Sequence, residues 1–414
     1  MITPAYSLTS TERVLPRMAL DFTTGVLDSR VTIARLLNTA TRFNASGLIE
    51  IVNANLPRFD YDSATLAPKG LLIEEARTNT LLYSEQLNDV IWSKTATVTA
   101  DQLVSPDGTT TADLVSTTGN FQYVRQLIVA TANAPYTVSF FVKPVSGSTT
   151  VRLYLTNAPQ TEVAGSNFSL TGAGSLGTLF QTGTGVVTSR TVTQLANGWY
   201  RCTVSGTVNT TTLYGYIDNH SNGTMSFGVW GAQLEAGAFA TSYIPTTTLA
   251  VLRNADVVSM TGTNFSDWYN STQGTFFAQY SVSVNGAFPF CAVNSATPTT
   301  EVMYLRYNAT QHQGVTVTGG ANVSAIFDGT AVSVINNVKT AFAYKANAYG
   351  IRSNGGAGSN ASSNSASGAL PSGINKLVIG ANQTGATGFV NGCIAKLSYY
   401  NISLLNGELS AVSK

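Results

Sequence analysis

Tyr136-Thr137-Val138-Ser139-Phe140-Phe141-Val142 alternates apolar and polar side chains with a period of two, the pattern of a half-buried strand. Val151-Arg152-Leu153-Tyr154-Leu155 repeats it. So do Gly198-Trp199-Tyr200-Arg201-Cys202-Thr203-Val204 and Thr212-Leu213-Tyr214-Gly215-Tyr216-Ile217. Turn formers, such as Pro144 to Ser148, separate these runs. About eight strands fit residues 81–247, enough for a jelly-roll sandwich.

The same reading extends in both directions. Downstream, strands are expected at Gly274–Val284, Val302–Arg306, Gly314–Val317, Val332–Ile335, Thr340–Tyr344, Leu377–Gly380 and Gly392–Tyr400. The low-complexity stretch Ser353–Ser367 reads as a hairpin around the turn dipeptide Asn354-Gly355. Ile244-Pro245-Thr246-Thr247-Thr248 reads as the linker before residues 248–414. Upstream, Val31-Thr32-Ile33 and Leu48–Val52 read as strands, the second after a turn at Asn44–Gly47. A helix over Thr32–Thr41 is the alternative, because Ile33, Leu36 and Leu37 share a helical face.

Composition supports an all-β chain. Of 414 residues only 22 are basic and 21 acidic, or 10% charged, where soluble domains average about 25%. Hydrophobic residues make up 43%, so the chain can build cores. Neutral hydroxyls and amides replace the missing ions. A net charge of +1 argues against nucleic acid, which needs a basic field. No apolar run reaches ~18 residues, so no membrane insertion is expected. The opening MITPAYSLTSTERVLPRM lacks the charged head and apolar core of a signal peptide. Such a composition suits a secreted or shell-like β protein, so export by a dedicated machine, an artificial origin, or release by lysis as part of a virus particle is implied.

Chemistry-bearing residues are sparse. Cys202, Cys291 and Cys393 are far apart and read as buried hydrophobes, with no metal-ligand spacing. His220 and His312 sit among turn formers and read as exposed loop residues. Glu74 and Glu75 point to opposite strand faces, while Asp60 and Asp62 share one without a further ligand cluster. No catalytic residue, metal ligand or cofactor is assigned. Sugar binding needs aromatic faces beside hydrogen-bonding groups. Tyr214, Tyr216 and Asp218 lie at i, i+2 and i+4 on one strand face beside His220, and these four are the candidate ligand site. Trp199 and Trp230 read as core, and Trp268-Tyr269 as packing against an interdomain surface.

Three segments carry a resemblance. They are PRFDYDSATLAPKGLLIEEARTNTLLYSEQL (Pro57–Leu87), FGVWGAQLEAGAFATSYIPTT (Phe227–Thr247), and Asn375–Leu409 with NKLVIGANQ and GFVNGCIAKLSYYNISLLNGEL. The first two resemble a module of tailed-phage structural proteins of the tail-fibre, head-fibre and carbohydrate-binding kinds. There the first motif leads into a jelly roll and the second closes it. The third resembles the late strands of a laminin-G-like, concanavalin-A-like sandwich. In it Ile394, Leu397 and Tyr399 would line a core, with Gly392 allowing the turn before them. Asp328 stands nearly alone where such domains hold calcium.

The resemblance implies two β-sandwich domains, 81–247 and 248–414, preceded by a small N-terminal virion-attachment region, 1–80. It implies a non-enzymatic phage virion surface protein, a homotrimeric fibre or spike contacting other capsid or tail proteins and adhering to host-surface glycans. With no heptads and no G-x-y run for a shaft, a compact attachment is expected. The alternatives are a polysaccharide depolymerase, with two carboxylates flanking a cleft, or a purely structural capsid decoration protein.

Overall fold

Strand Pro135–Ser146 buries Val138, Phe140 and Val142 toward one side, as the alternation requires. Its other side is also covered. Phe141 packs there against Trp199, Trp230 and Tyr243. The strand expected to be half-buried is therefore a central one. It also runs past the expected turn, because Pro144 sits at a register shift and pairing resumes at Ser146.

The computed structural model describes residues 6–7, 13–36, 39–308, 311–328, 336–354, 360–361 and 369–414. Strands are the dominant regular element, with short α-helices at Thr263–Ser266 and Asn406–Val412. Two six-stranded antiparallel sheets make the first sandwich. One runs Ser93–Lys94, Tyr123–Val129, Thr212–Asp218, Thr150–Thr156, Val163–Ser169, Ser175–Thr182. The other runs Thr97–Leu103, Ala112–Thr118, Thr224–Ala236, Pro135–Ser146, Tyr200–Thr207, Val186–Gln194. Val138, Phe140, Leu153, Ile217 and Leu234 belong to the core they share.

The second sandwich holds a seven-stranded and an eight-stranded sheet among the described residues. The N-terminal segment is part of it, which corrects the expectation of a separate attachment region over 1–80. Thr32–Ala34 pairs with Val257–Thr261, so the helical alternative also fails. Met18–Asp21 and Pro68–Ile73 both pair with Gly392–Tyr400, and Phe59–Tyr61 pairs with Pro68–Ile73. The first sandwich is thus an insertion between N-terminal and C-terminal strands of the second. The cause is burial on both faces. Leu71 and Ile73 enter the second core beside Ile394 and Leu397, while Leu72 faces the first sandwich.

Other expectations are corrected for similar reasons. The supposed linker is packed: Ile244 and Thr246 are buried, and Thr246 is hydrogen-bonded to Leu81 and Ser84. Trp268 lies inside the second core against Tyr399, not at an interdomain surface. His312 is buried in strand Gln311–Thr318, and burial pushes its imidazole down to about 4. Gly392 lies within a strand rather than a turn; a Cβ there would meet the Ser281 carbonyl at 2.3 Å. Val332–Ile335 lies outside the described residues. Of the Ser353–Ser367 hairpin, the described part shows Ala348–Ser353 pairing with Asn360–Ala361.

The first two signature motifs meet at the joint between the sandwiches. Asn79 donates to the carbonyls of Ala232 and Ile244. Glu74 accepts from the Ser242 N–H at 2.7 Å and the Ser242 hydroxyl at 2.6 Å. Around them Arg35, Arg58, Arg253, Glu74 and Asp256 form a buried ionic cluster. Arg35 reaches Asp256 at 2.8 Å and Arg58 reaches Glu74 at 2.8 Å, while Arg58 also pairs with Asp256. Burial alone would raise the Glu74 carboxyl, but Arg253 and Arg58 outweigh it and hold that group far below its usual 4.5.

This sets an acid response. Stability supplied by Glu74 is complete above 4.5 and is lost as pH falls toward its much lower folded value. The urea midpoint should therefore decline from about pH 5 downward. Glu74→Gln should start lower and flatten that decline. An unchanged wild-type midpoint between about pH 7 and about pH 3 would contradict the assignment.

Candidate functional site

The outer face of the Ser93–Thr182 sheet carries the candidate residues. Along Thr212–Asp218, Leu213 and Ile217 point into the core, so Tyr214, Tyr216 and Asp218 point outward. Register then fixes their neighbours. Tyr216 lies opposite Arg125 on one side and Tyr154 on the other, and Tyr154 lies opposite Gly165, itself opposite Phe180. Asp218 lies between Tyr123 and Arg152 in the adjacent row.

The rings form a continuous platform. Tyr154 and Tyr216 stack with centroids 4.1 Å apart and planes 26° apart. Tyr123 lies 4.9 Å from Tyr216, and Phe180 meets Tyr154 edge-on at 5.7 Å. Gly165 makes room for this, because a Cβ there would lie 2.4 Å from that of Tyr154. Tyr154 and Tyr216 are buried beneath, whereas Tyr123, Tyr214 and Phe180 are half-buried and Phe121 is exposed. Burial pushes the Tyr216 phenol up to about 12. Burial and then the charge of Asp218 push Tyr154 higher still, so both phenols are neutral hydrogen-bonding groups.

Two arginines lie over the rings. Arg152 sits 4.5 Å from the Phe180 centroid and 5.0 Å from Tyr154. It is neutralised by Asp218, with Nη2–Oδ2 at 2.5 Å and Nε at 3.2 Å from both oxygens. Burial alone would lower the Arg152 guanidinium; the hydrogen bonds and charge of Asp218 more than offset that. Asp218 also accepts from the Tyr154 hydroxyl at 3.1 Å and the His220 N–H at 2.7 Å. It is a buried strut and not a ligand contact.

Arg125 sits 4.3 Å from the Tyr214 centroid, 4.6 Å from Tyr123 and 5.4 Å from Tyr216. His220 stands at the rim in a turn with φ of 50°, its Nδ1 3.0 Å from the Ser221 hydroxyl and its ring 6.1 Å from Phe121.

Tyr214, Tyr216, Asp218 and His220 are thus brought together, with unequal parts. Tyr214 is accessible, Tyr216 is the floor, Asp218 braces it, and His220 flanks it. Reading the sequence missed Tyr123, Arg125, Arg152, Tyr154 and Phe180. Tyr123-x-Arg125 and Arg152-x-Tyr154 carry the same period of two and could have flagged the faces. Which strands adjoin could not be read locally.

Other candidates are committed to packing. Asp60 accepts from Lys69 and the Phe43 N–H, and Asp62 caps its own turn at Thr65, so they form no shared site. All three cysteines are free and buried. A cavity of about 180 Å³ between the sandwiches is lined by Arg42, Asp60, Lys69, Glu74 and Arg201. Of these, Arg42, Asp60, Lys69 and Glu74 are already in ion pairs.

No family model matches the chain. No curated protein matches it either. Among solved structures, it is similar to a CBM40 carbohydrate-binding module of a Ruminococcus gnavus sialidase bound to α2,3-sialyllactose. That likeness has 16% identity and a TM-score of 0.30, covering 34% of this chain and 83% of that one. It is also similar to a heptameric SAP-like pentraxin from Limulus polyphemus, with 16% identity, a TM-score of 0.28, and 35% and 70% coverage. The mouse laminin α1 chain, domains LG4-5, gives 7% identity and a TM-score of 0.25, covering 68% of this chain and 86% of that one. Scores this low carry no argument about what this chain binds.

Proposed function

We propose that this chain is a non-enzymatic glycan-binding adhesion protein, borne as a compact trimeric fibre or spike on the virion of a tailed phage. The observation that carries the glycan reading is the outer face of the first sandwich. Half-buried Tyr123, Tyr214 and Phe180 offer ring faces to the apolar side of a pyranose. Arg125 and His220 stand among or beside them to meet hydroxyls. The floor is rigid because Tyr154, Tyr216 and Asp218 are locked before a ligand arrives, which lowers the entropy cost of binding. The phage assignment rests on the resemblance of Pro57–Leu87 and Phe227–Thr247.

The test is binding of the full chain to immobilised bacterial surface glycans, with Tyr123→Ala and Tyr214→Ala alongside. Each variant should bind at least about tenfold more weakly while its thermal midpoint stays near that of the wild type. A panel that stays blank, or variants that bind like the parent, would end this reading.

A further inference from the structure

The two arginines of the face differ in one respect. Arg152 is neutralised by a buried carboxylate. Arg125, equally surrounded by rings, makes no ion pair or protein hydrogen bond among the described residues, and its Nε is buried without a partner. With Arg152 balanced by Asp218, Arg125 leaves the face one positive charge in excess. The three tyrosine rings fix the guanidinium in place by cation–π contact, so little side-chain entropy remains to be lost. A guanidinium held by its faces still presents its N–H edges, and that fork matches a planar group with two acceptor oxygens.

We propose that Arg125 makes this face selective for saccharides that carry a carboxylate, the guanidinium taking both oxygens while Tyr123 and Tyr214 flank the sugar ring. This rests on the glycan-binding reading above. The carboxylate could belong to a uronic acid or to a nonulosonic acid. Both present the same planar anion on a ring with an apolar face.

The experiment titrates the full chain with oligogalacturonate and with its neutral methyl ester. A second arm compares a sialylated trisaccharide with its neutral parent disaccharide. In at least one arm the acid should bind about tenfold or more tightly than the neutral form, and added salt should narrow that gap. Arg125→Gln should erase the preference, so that the acid and neutral forms bind that variant alike. Arg125→Lys, which keeps the charge without the fork, should fall between. The arm that responds identifies the source of the carboxylate.

Equal wild-type affinity for acid and neutral forms in both arms overturns the proposal, with no dependence on how any variant folds. So does an Arg125→Gln protein that still prefers the acid, or tighter binding of a hexose phosphate than of the matching uronate. If the neutral sugars still bind and still require Tyr214, the adhesion reading survives and only the role of Arg125 falls. If no sugar of either kind binds, both fall together.

Discussion

Asp256→Ala is expected to lower the unfolding free energy by about 3–5 kcal/mol, more than any surface substitution in this chain. Asp256 is buried and serves several elements at once. It accepts from Arg35 at 2.8 Å, from Arg58, and from the backbone N–H of Glu74 at 3.0 Å. Arg253 stands 3.9 Å away. Three fully buried guanidinium groups are balanced by only two carboxylates, so removing one leaves cations with neither water nor counter-charge. The penalty comes from what remains, not from the bonds lost. Arg35→Met combined with Asp256→Ala should therefore cost less than the sum of the two single changes. Chemical denaturation of the four proteins closes that cycle. A loss below about 1 kcal/mol for Asp256→Ala would mean that water reaches the cluster.

The position of Asp256 also explains what could and could not be read from the sequence. Val138, Phe140 and Val142 follow the period of two, and so do Leu213 and Ile217; they face a core as local pattern demands. Ile394, Leu397 and Tyr399 line the second core as the third motif implies. The part played by 1–80 could not be read. Leu20 sits opposite Leu397 and Ile33 opposite Val258, and no short window encodes a partner at the far end of the chain. Nothing in the local sequence marks Arg35 and Arg58 for burial, because burial of an arginine becomes tolerable only once a distant carboxylate arrives. The same limit applies to the face. Tyr214-x-Tyr216-x-Asp218 was legible within one strand. Arg125 and Arg152 come from the two neighbouring strands, and only register brings them alongside.

Asp218→Ala should lower stability by about 3–5 kcal/mol and abolish glycan binding as well, although Asp218 is buried beneath any ligand. The carboxylate holds Arg152 by Nε and Nη2, the Tyr154 hydroxyl, and the N–H of His220 at a left-handed turn. Without it Arg152 is a buried cation facing only rings. Cation–π contact contributes roughly 0.5–2 kcal/mol, too little to offset that loss. Tyr154 then has no reason to stay under Tyr216, and Tyr216 is the ring on which Tyr123 and Arg125 rest. Tyr123→Ala makes the informative contrast. It removes a half-buried ring, so its stability cost should stay near 1 kcal/mol while its binding loss is as large. Asp218→Asn keeps an acceptor for the His220 N–H but loses the charge that neutralises Arg152, so it should fall between. Thermal unfolding and glycan titration on the same three proteins separate a strut from a contact. If Asp218→Ala stays within about 1 kcal/mol of the parent and still binds, the platform does not depend on this carboxylate, and the rings must be held by strand pairing alone.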